Sequence, residues 1–292
     1  MLGSIFDTHV LNDGNKMPVM GMGTDKLTDE RQACELVSRG IELGYRYIDT
    51  ADWYNNEELI GRAIKDCGCK RENIFLLTKL NNPYQGYESA IEALKRSLEK
   101  LDTDYVDMFL IHWPGPDATN TKYRLESWRA LIRLKEMGLC RSIGVSNFQK
   151  RHIEQLIKET GVVPAVNQIE RHPWQIQSEL IAEGEKHGVF TVGWAPLMRG
   201  LFKDIPLLSQ IGERYGKSAP QIILRWDYQS EIGFIPKTAS LERLAENADI
   251  FDFELSEKEM ESIDALDKDY RLRFHPDTMD VGFPESPKTK SR

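Results

Sequence analysis

The sequence has few cysteines and no long hydrophobic segment. Only four of its 292 residues are cysteine, and Cys67-Gly68-Cys69 has one residue between its thiols and no second pair at a metal-ligand spacing. We therefore expect unpaired structural thiols and no metal site. The N-terminus has neither a basic start nor an apolar run, and no later run approaches the length of a membrane span. These absences predict a cytoplasmic protein with no signal peptide and no membrane partner.

The sequence also lacks an excess of positive charge. Its 38 Lys and Arg residues face 46 Asp and Glu residues, for a formal net charge of −8, which argues against a general nucleic-acid or anionic-membrane surface. A nucleotide can still be held by a few local cations. Hydrophobic residues at 40% and charged residues at 29% are typical of a globular protein, and the length fits a single domain over residues 1–292.

The glycine-rich fingerprint of a doubly wound dinucleotide-binding sheet is incomplete. Gly21 and Gly23 supply only the first two glycines of that motif, and they follow a predicted hairpin at the Asp13-Gly14 turn. Short apolar runs instead alternate with amphipathic segments, the first of which, residues 30–43, predicts a helix that ends at Gly44. Eight candidate strands predict an α/β fold of the (β/α)8 TIM barrel type, with the hairpin closing the barrel bottom. The candidate strands are the run ending at Asp49 and residues 74–80, 105–113, 142–146, 165–168, 190–195, 233–236 and 250–253.

Three consecutive candidate strands end on polar side chains. The first ends at Asp49 and is followed closely by Tyr54, the second ends at Lys79, and the third ends at His112. The carboxyl ends of parallel barrel strands meet at one face, where such folds place their chemistry. The sequence therefore predicts a site at that face.

These four side chains suit proton and hydride chemistry on a carbonyl group. A tyrosine with a pKa of about 10 donates a proton poorly unless a nearby cation, here Lys79, stabilises the phenolate. A buried Lys79 needs a counter-charge, which Asp49 can supply. Tyr54 and His112 together can stabilise the negative charge that develops on a carbonyl oxygen. Taken alone, each of these residues is more often structural: Asp49 as a helix-capping or turn carboxylate, Lys79 as the surface end of a strand, His112 as a core imidazole and Tyr54 as an interface aromatic. Their occurrence together at the ends of consecutive strands favours the catalytic interpretation.

The chain resembles the aldo-keto reductases along nearly its whole length. The resemblance implies an NADPH-dependent (NADP+) reductase of small-molecule carbonyl compounds, with Asp49, Tyr54, Lys79 and His112 as the catalytic tetrad and Tyr54 as the general acid. Within the family the chain is similar to bacterial and fungal members such as the 2,5-diketo-gluconate reductase group. The matching motifs are Leu11-Asn12-Asp13-Gly14, Gly21-x-Gly23-Thr24, Asp49-Thr50-Ala51-x-x-Tyr54-x-Asn56-Glu57, Gly144-Val145-Ser146-Asn147-Phe148 and Ile235-Pro236-Lys237-Thr238.

The resemblance also implies a set of cofactor contacts. Trp194 would stack under the nicotinamide ring, where many members have tyrosine. Lys237, Thr238 and Arg243 would bind the ribose 2′-phosphate, for which two cations and a hydroxyl are well suited. The remaining implied contacts are Ser146, Asn147 and Gln168 at the carboxamide, Leu197 at the pyrophosphate, Glu246 and Asn247 at the adenine, and Thr24 and Asp49.

The substrate pocket departs from the family pattern at two positions. Asn81 stands where many members have tryptophan, and Asp25 stands where an aromatic residue is common. If both line the pocket beside Trp53, Trp113, Tyr54 and His112, unsatisfied polar groups would disfavour flat hydrophobic substrates. We expect short, polar, hydroxylated or vicinal carbonyl substrates. The tail, residues 267–292, is either disordered or folded over the barrel mouth, where Arg271, Arg273 and His275 could attract anions.

Two other classes of function fit this sequence less well. A non-catalytic regulatory or structural barrel protein that binds a nucleotide should have a broken tetrad, whereas all four positions are intact. Metal-assisted hydrolysis would need clustered histidine and carboxylate ligands, whereas only His112 ends a strand. The sequence leaves the physiological substrate and the reaction direction open, and a monomer or weak homodimer is expected.

Overall fold

The computed structural model describes residues 2–284, which contain ten strands and ten α-helices. The strands are β1 Thr8–Val10, β2 Lys16–Pro18, β3 Met22–Gly23, β4 Tyr47–Asp49, β5 Phe75–Leu80, β6 Val106–Ile111, β7 Cys140–Ser146, β8 Val166–Glu170, β9 Phe190–Trp194 and β10 Gly233–Ile235. The helices are α1 Glu30–Leu43, α2 Glu57–Asp66, α3 Tyr87–Leu101, α4 Asp117–Glu136, α5 Lys150–Thr160, α6 Ser178–Lys186, α7 Pro206–Tyr215, α8 Ala219–Gln229, α9 Leu241–Ala248 and α10 Glu257–Asp264. Shorter 3-10 helices lie at Asp52–Tyr54, Arg71–Asn73, Asn82–Tyr84 and Met198–Asp204.

Strands β3 to β10 form one parallel sheet in chain order. Its two edge strands are joined by backbone hydrogen bonds from Gly21 N to Phe234 O at 2.9 Å and from Gly23 N to Pro236 O at 3.1 Å. The sheet therefore curls into a nearly closed barrel, with helices between successive strands. The predicted (β/α)8 architecture is confirmed.

The N-terminal hairpin closes the bottom of this barrel, as predicted. β1 and β2 pair in antiparallel fashion, and Met17 is fully buried with the barrel interior residues. The Asn15 side chain donates to Ser142 Oγ at 2.9 Å, and Asn12 donates to Pro164 O at 3.0 Å, near the amino ends of β7 and β8. The opposite, carboxyl end of the barrel is left for the site.

Side-chain alternation along the strands separates two buried layers. Tyr47 and Leu77 pack inside the barrel, whereas Ile48 and Leu76 pack between the sheet and the helices. Because side chains on a strand alternate between its two faces, Asp49 lies on the same inner face as Tyr47. Lys79 follows Leu77 in the same way, so both ionisable groups enter the barrel interior.

One predicted strand is wrong. Residues 250–253 form an irregular connection between α9 and α10, where Ile250 and Phe253 are buried against the helices. The eighth barrel strand is β3, whose two residues are too few to give an apolar run. The predicted first helix is confirmed as α1, and Gly44 caps it in the left-handed region at φ 105°.

The described part of the tail folds over the barrel mouth. Tyr270 N donates to Trp174 O at 2.9 Å, Arg151 pairs with Asp277 at 2.7 Å, and Asn82 donates to Val281 O at 2.9 Å. These contacts fix the tail on both sides of the mouth. Residues 285–292, the rest of the predicted tail, lie outside the described residues. Among residues 2–284, no helix is long and apolar enough to cross a membrane.

Candidate active site

A cavity of about 870 Å³ opens at the carboxyl end of the barrel strands. It brings together nearly all of the side chains that the sequence predicted for the site. Those that line it are Thr24, Asp25, Asp49, Trp53, Tyr54, His112, Trp113, Ser146, Asn147, Gln168, Trp194, Leu197, Lys237, Thr238, Arg243, Glu246 and Asn247.

The four tetrad side chains come from three neighbouring strands and one short helix. Asp49 ends β4, Lys79 lies in β5, His112 follows β6, and Tyr54 ends the 3-10 helix Asp52–Tyr54. Parallel pairing of β4 with β5 and of β5 with β6 brings these strand ends side by side. Lys79 has no exposed side-chain surface, and Asp49 has 1% exposed.

The Lys79 ammonium uses all three of its donors within the site. It donates to Asp49 Oδ1 at 2.6 Å, to the Thr50 carbonyl at 3.0 Å and to the Tyr54 hydroxyl oxygen at 3.3 Å. The second Asp49 oxygen accepts from Gln168 Nε2 at 2.7 Å. Since Tyr54 accepts from Lys79, its own hydroxyl hydrogen remains available to a ligand in the cavity.

Burial dominates the electrostatics of this cluster. It raises the pKa of the Tyr54 phenol well above its usual value, and the Asp49 and Asp25 carboxylates raise it further. Burial also lowers the pKa of Lys79, although the Asp49 carboxylate opposes that change. The neighbouring ammonium therefore does not ionise Tyr54 before a ligand binds. Tyr54 keeps its proton at neutral pH, as a proton donor must.

His112 is held as a neutral imidazole at the same wall of the cavity. Burial, and then the Lys79 charge, lower the pKa of His112 well below its usual value. Its ring meets the Tyr54 ring edge to face, with centroids 5.9 Å apart. Asn147 Nδ2 donates to the His112 carbonyl at 2.9 Å, which fixes the backbone there. A neutral imidazole still has one N–H donor, so Tyr54 and His112 can both donate to one oxygen.

The residues expected to hold the nicotinamide amide form a bonded group of their own. Asn147 adopts a left-handed backbone at φ 64°, and its side-chain oxygen accepts from Trp194 Nε1 at 2.9 Å. Ser146 Oγ donates to the Gln168 carbonyl at 2.8 Å. These bonds orient the Trp194 ring at the cavity wall, where an aromatic ligand ring can stack.

The groups expected around the nucleotide fit such a ligand. Among residues 2–284, the side chains of Lys237 and Arg243 have no ion-pair or hydrogen-bond partner. Arg243 lies in the first turn of α9, where the helix dipole favours a bound phosphate. Asn247 is 2% exposed and its Nδ2 has no hydrogen-bond partner in the described part of the chain, although it borders the cavity. A buried unpaired donor is costly, so an acceptor on a ligand is expected there.

The structure places one residue predicted to contact substrate outside the cavity lining. Asn81 does not line the cavity, because β5 ends at Leu80 and the 3-10 helix Asn82–Tyr84 turns the chain away. The Asn81 amide instead donates to Asp52 Oδ2 at 3.1 Å. Asp25 does line the cavity. Of the two polar residues that replace aromatic residues of the family pattern, only Asp25 therefore borders the cavity.

Several lining residues were not predicted from the sequence. Arg199 and Lys203 come from the irregular segment Met198–Asp204, which belongs to no recognisable motif. Phe274 and Met279 come from the tail. Apolar residues in this otherwise charged, proline-rich stretch were the only sequence feature that could have indicated packing against the barrel. Met279 packs with Trp113 and Trp53 into an apolar wall.

Comparisons with known proteins agree with this geometry. A family model described as the aldo/keto reductase family matches residues 19–268. A glyoxal reductase of Bacillus subtilis (strain 168) is 46% identical over 276 residues, which cover 94% of this chain and 98% of that protein. The crystal structure of an aldo/keto reductase from Brucella melitensis has 48% identity and a TM-score of 0.84, covering 90% of this chain and 100% of that one. An aldo-keto reductase of Bombyx mori in complex with NADP has 32% identity and a TM-score of 0.86, covering 93% of this chain and 96% of that one.

Proposed function

The chain belongs to the aldo/keto reductase family, and from that premise we propose that it reduces short, polar aldehydes and ketones with Tyr54 as the general acid. Family membership makes it an NADP-dependent carbonyl oxidoreductase. The proposal adds the proton donor and the size and polarity of the substrate. It is supported above all by the Tyr54 hydroxyl, which accepts from Lys79 and keeps its own hydrogen free beside the cavity.

NADPH, when bound, supplies a hydride for the carbonyl carbon. On this proposal Ser146, Asn147 and Gln168 hold the nicotinamide amide, and Trp194 provides a stacking face for the ring. The ribose 2′-phosphate pairs with Lys237 and Arg243. The other proposed contacts are Thr24, Asp49, Leu197, Thr238, Glu246 and Asn247, all of which border the same cavity.

Tyr54 completes the reduction by transferring its proton to the carbonyl oxygen. As negative charge develops on that oxygen, the Tyr54 hydroxyl and the neutral His112 ring donate to it. The phenolate that Tyr54 becomes lies 3.3 Å from the Lys79 ammonium, whose charge stabilises it. Asp49 holds Lys79 in place through the 2.6 Å ion pair. In the oxidation direction the same groups act in reverse order.

The proposed substrate class is short and polar. Trp53, Trp113 and Met279 form an apolar wall of the cavity beside His112. The Asp25 carboxylate borders the same cavity and accepts hydrogen bonds but cannot donate them at neutral pH. A hydroxyl or a hydrated carbonyl group on the substrate would satisfy it. The relative named glyoxal reductase, by its name, acts on a small vicinal dicarbonyl, which supports the same class.

A panel of carbonyl compounds tests this proposal. NADPH oxidation should be fastest with short vicinal or hydroxylated carbonyl compounds, such as glyoxal, methylglyoxal and glyceraldehyde. Flat hydrophobic ketones such as steroids should react at least about tenfold less efficiently, because they would leave Asp25 without a partner. A preference for the hydrophobic compounds would contradict the substrate class. Tight NADPH binding with no turnover of any compound would favour a non-catalytic nucleotide-binding protein instead.

A further inference from the structure

Besides Arg243, two arginine side chains at the cavity have no partner among residues 2–284. Arg199 and Arg273 both line it, and neither guanidinium makes a hydrogen bond or an ion pair there. Arginine has five donors and stays charged at any ordinary pH. Unpaired guanidinium groups that border a cavity can bind an anionic ligand, most strongly through paired hydrogen bonds to a carboxylate or a phosphate.

Arg273 lies at the end of the cavity where carbonyl chemistry is expected. The next residue, Phe274, meets the Trp113 ring edge to face, with centroids 6.4 Å apart. Trp113 in turn follows His112 directly, and their rings are 6.5 Å apart. The Arg273 charge also acts on Tyr54, whose pKa it lowers against the larger effects of burial and of the carboxylates. Arg273 and Tyr54 line the same cavity, so a small substrate bound there can approach both groups.

The tail holds Arg273 in this position from both sides. On one side, Leu272 N donates to the buried Glu170 carboxylate. On the other side, Arg151 pairs with Asp277 at 2.7 Å. A side chain whose backbone is held on both sides loses less conformational freedom when it binds a ligand than a side chain on a free chain end.

Of the three tail residues that the sequence singled out for attracting anions, only Arg273 faces the cavity. Arg271 Nη2 donates to Gln177 Oε1 at 2.9 Å, and the Arg271 side chain does not line the cavity. His275 is exposed, lies about 4.0 Å from the Asp277 carboxylate, and does not line the cavity either. Arg271 therefore offers a matched control, since it is the same residue type in the same segment.

An anion would relieve repulsion between the two arginines. Burial, and then the Arg273 charge, lower the pKa of Arg199, while the Asp25 carboxylate opposes that change. The anion could be a phosphate of the cofactor or a carboxylate of the substrate. Lys237 and Arg243 already provide unpaired cations for phosphate, whereas Arg273 lies by the Trp113 wall and acts on Tyr54. These observations favour a carboxylate of the substrate, rather than a phosphate of the cofactor, as the anion that binds Arg273.

We propose that Arg273 is a specificity-determining residue that binds the carboxylate of small anionic carbonyl substrates, namely short 2-oxo acids and aldehyde acids. This inference rests on the carbonyl reductase function proposed above. With glyoxylate, hydride from NADPH forms the new C–H bond, and the Tyr54 proton forms the O–H bond. The carboxylate is unchanged and the products are glycolate and NADP+. Arg273 takes no part in bond making and only holds the carboxylate.

The test compares glyoxylate with glyoxal, which differ by a carboxylate in place of a second aldehyde. The ratio of kcat/KM for glyoxylate to that for glyoxal should fall by about tenfold or more in Arg273→Gln, with most of the change in KM for glyoxylate. Arg273→Lys should restore part of the ratio, because it keeps the charge but not the planar donor pair. Arg271→Gln should leave the ratio unchanged. Added salt should raise KM for glyoxylate more than KM for glyoxal.

The outcomes separate this inference from the function it rests on. A wild-type ratio retained in Arg273→Gln, or no reduction of glyoxylate by a wild-type protein that reduces glyoxal, would overturn the inference alone. A weaker NADPH dissociation constant with an equal loss on both substrates would assign Arg273 to the cofactor phosphates and also overturn it. A protein that binds NADPH but reduces neither compound would overturn both proposals. A selective loss on glyoxylate with NADPH binding retained would support the inference.

Discussion

On the proposed cofactor contacts, Lys237 is the residue on which the choice between NADPH and NADH should depend most directly. It has no partner in the described part of the chain, and burial lowers the pKa of its ammonium, with the Asp25 carboxylate opposing. A dianionic 2′-phosphate would provide the missing counter-charge. Charge-assisted hydrogen bonds of this kind contribute about 1.5 to 3 kcal/mol each.

Replacement of this lysine should therefore reduce the preference for NADPH. In Lys237→Met, the ratio of the NADH to the NADPH dissociation constant should fall by about tenfold or more, as measured by quenching of protein fluorescence. Lys258→Met removes an exposed lysine on α10 and serves as the control. Equal dissociation constants for NADPH and NADH in the unmutated protein would show that Lys237 does not bind the 2′-phosphate.

His112 should contribute to catalysis without changing its charge. Burial and the Lys79 ammonium place the pKa of His112 well below its usual value, so the imidazole stays neutral from weakly acidic to alkaline pH. Burial raises the pKa of Tyr54 well above its usual value, so the phenol keeps its proton over the same range. Neither group changes its protonation near neutrality in the free enzyme.

The pH dependence of reduction should show that His112 and Tyr54 keep the same protonation state near neutral pH. The plot of kcat/KM for glyoxal, which reports ionisations of the free enzyme, should show no step from His112 near pH ~6.5. An unperturbed histidine would produce a step near pH ~6.5. Such a step, if it disappeared in His112→Gln, would contradict a neutral imidazole. Far-ultraviolet circular dichroism at each pH would separate unfolding from a true titration.

At the scale of elements, the N-terminal hairpin stabilises the barrel from below. Met17 is fully buried in the barrel interior, whereas Val10, in the paired strand, is 59% exposed. Met17→Ala should lower the free energy of unfolding by about 2 to 5 kcal/mol, the range for a truncated core side chain. Val10→Ala should change it by less than about 0.5 kcal/mol. Urea denaturation measures the free energy of unfolding of both variants. Equal decreases in the two variants would mean that Met17 does not stabilise the barrel through its buried position.

The elements that the sequence predicted best are those with long periodic patterns. α1 was predicted with its bounds and its glycine cap, because its apolar spacing and Gly44 both follow from local rules. β3 was missed because two residues carry no periodicity and the strand forms only through pairing with β4 and Lys237. The apolar pattern of residues 250–253 predicts a strand, but Ile250 and Phe253 are apolar because they are buried against helices and not because they pair in the sheet.

The same distinction holds for the site. Asp49, Lys79 and His112 stand at strand ends, where alternation and parallel pairing determine where side chains go, so sequence spacing was enough to place them. Asn81 lies one residue past a strand end and was predicted from the family pattern alone. The chain turns there through a 3-10 helix that begins at Asn82-Pro83, a pair typical of turns. Arg199 could not be predicted because its position depends on an irregular segment with a left-handed backbone at φ 53°.

For the whole molecule, the described contacts link the tail, the barrel and the site. Glu170 ends β8 beside the site and accepts the Leu272 amide of the tail, while Asn82, just past β5, donates to Val281. The tail is therefore anchored at the ends of two barrel strands, one of which, β5, also carries Lys79. That the protein is a monomer or weak homodimer stays a prediction, which sedimentation equilibrium can measure.

The most direct test of the account is a single-turnover experiment with Tyr54→Phe. NADPH bound to the protein is mixed with glyoxal, and oxidation of the nicotinamide is followed by its absorbance. Loss of the proton donor should slow this step by at least about 10²-fold, while the NADPH dissociation constant stays within about twofold, because the ring remains and only the hydroxyl is removed. An unchanged single-turnover rate with NADPH fully bound would contradict the assignment of Tyr54 as the general acid.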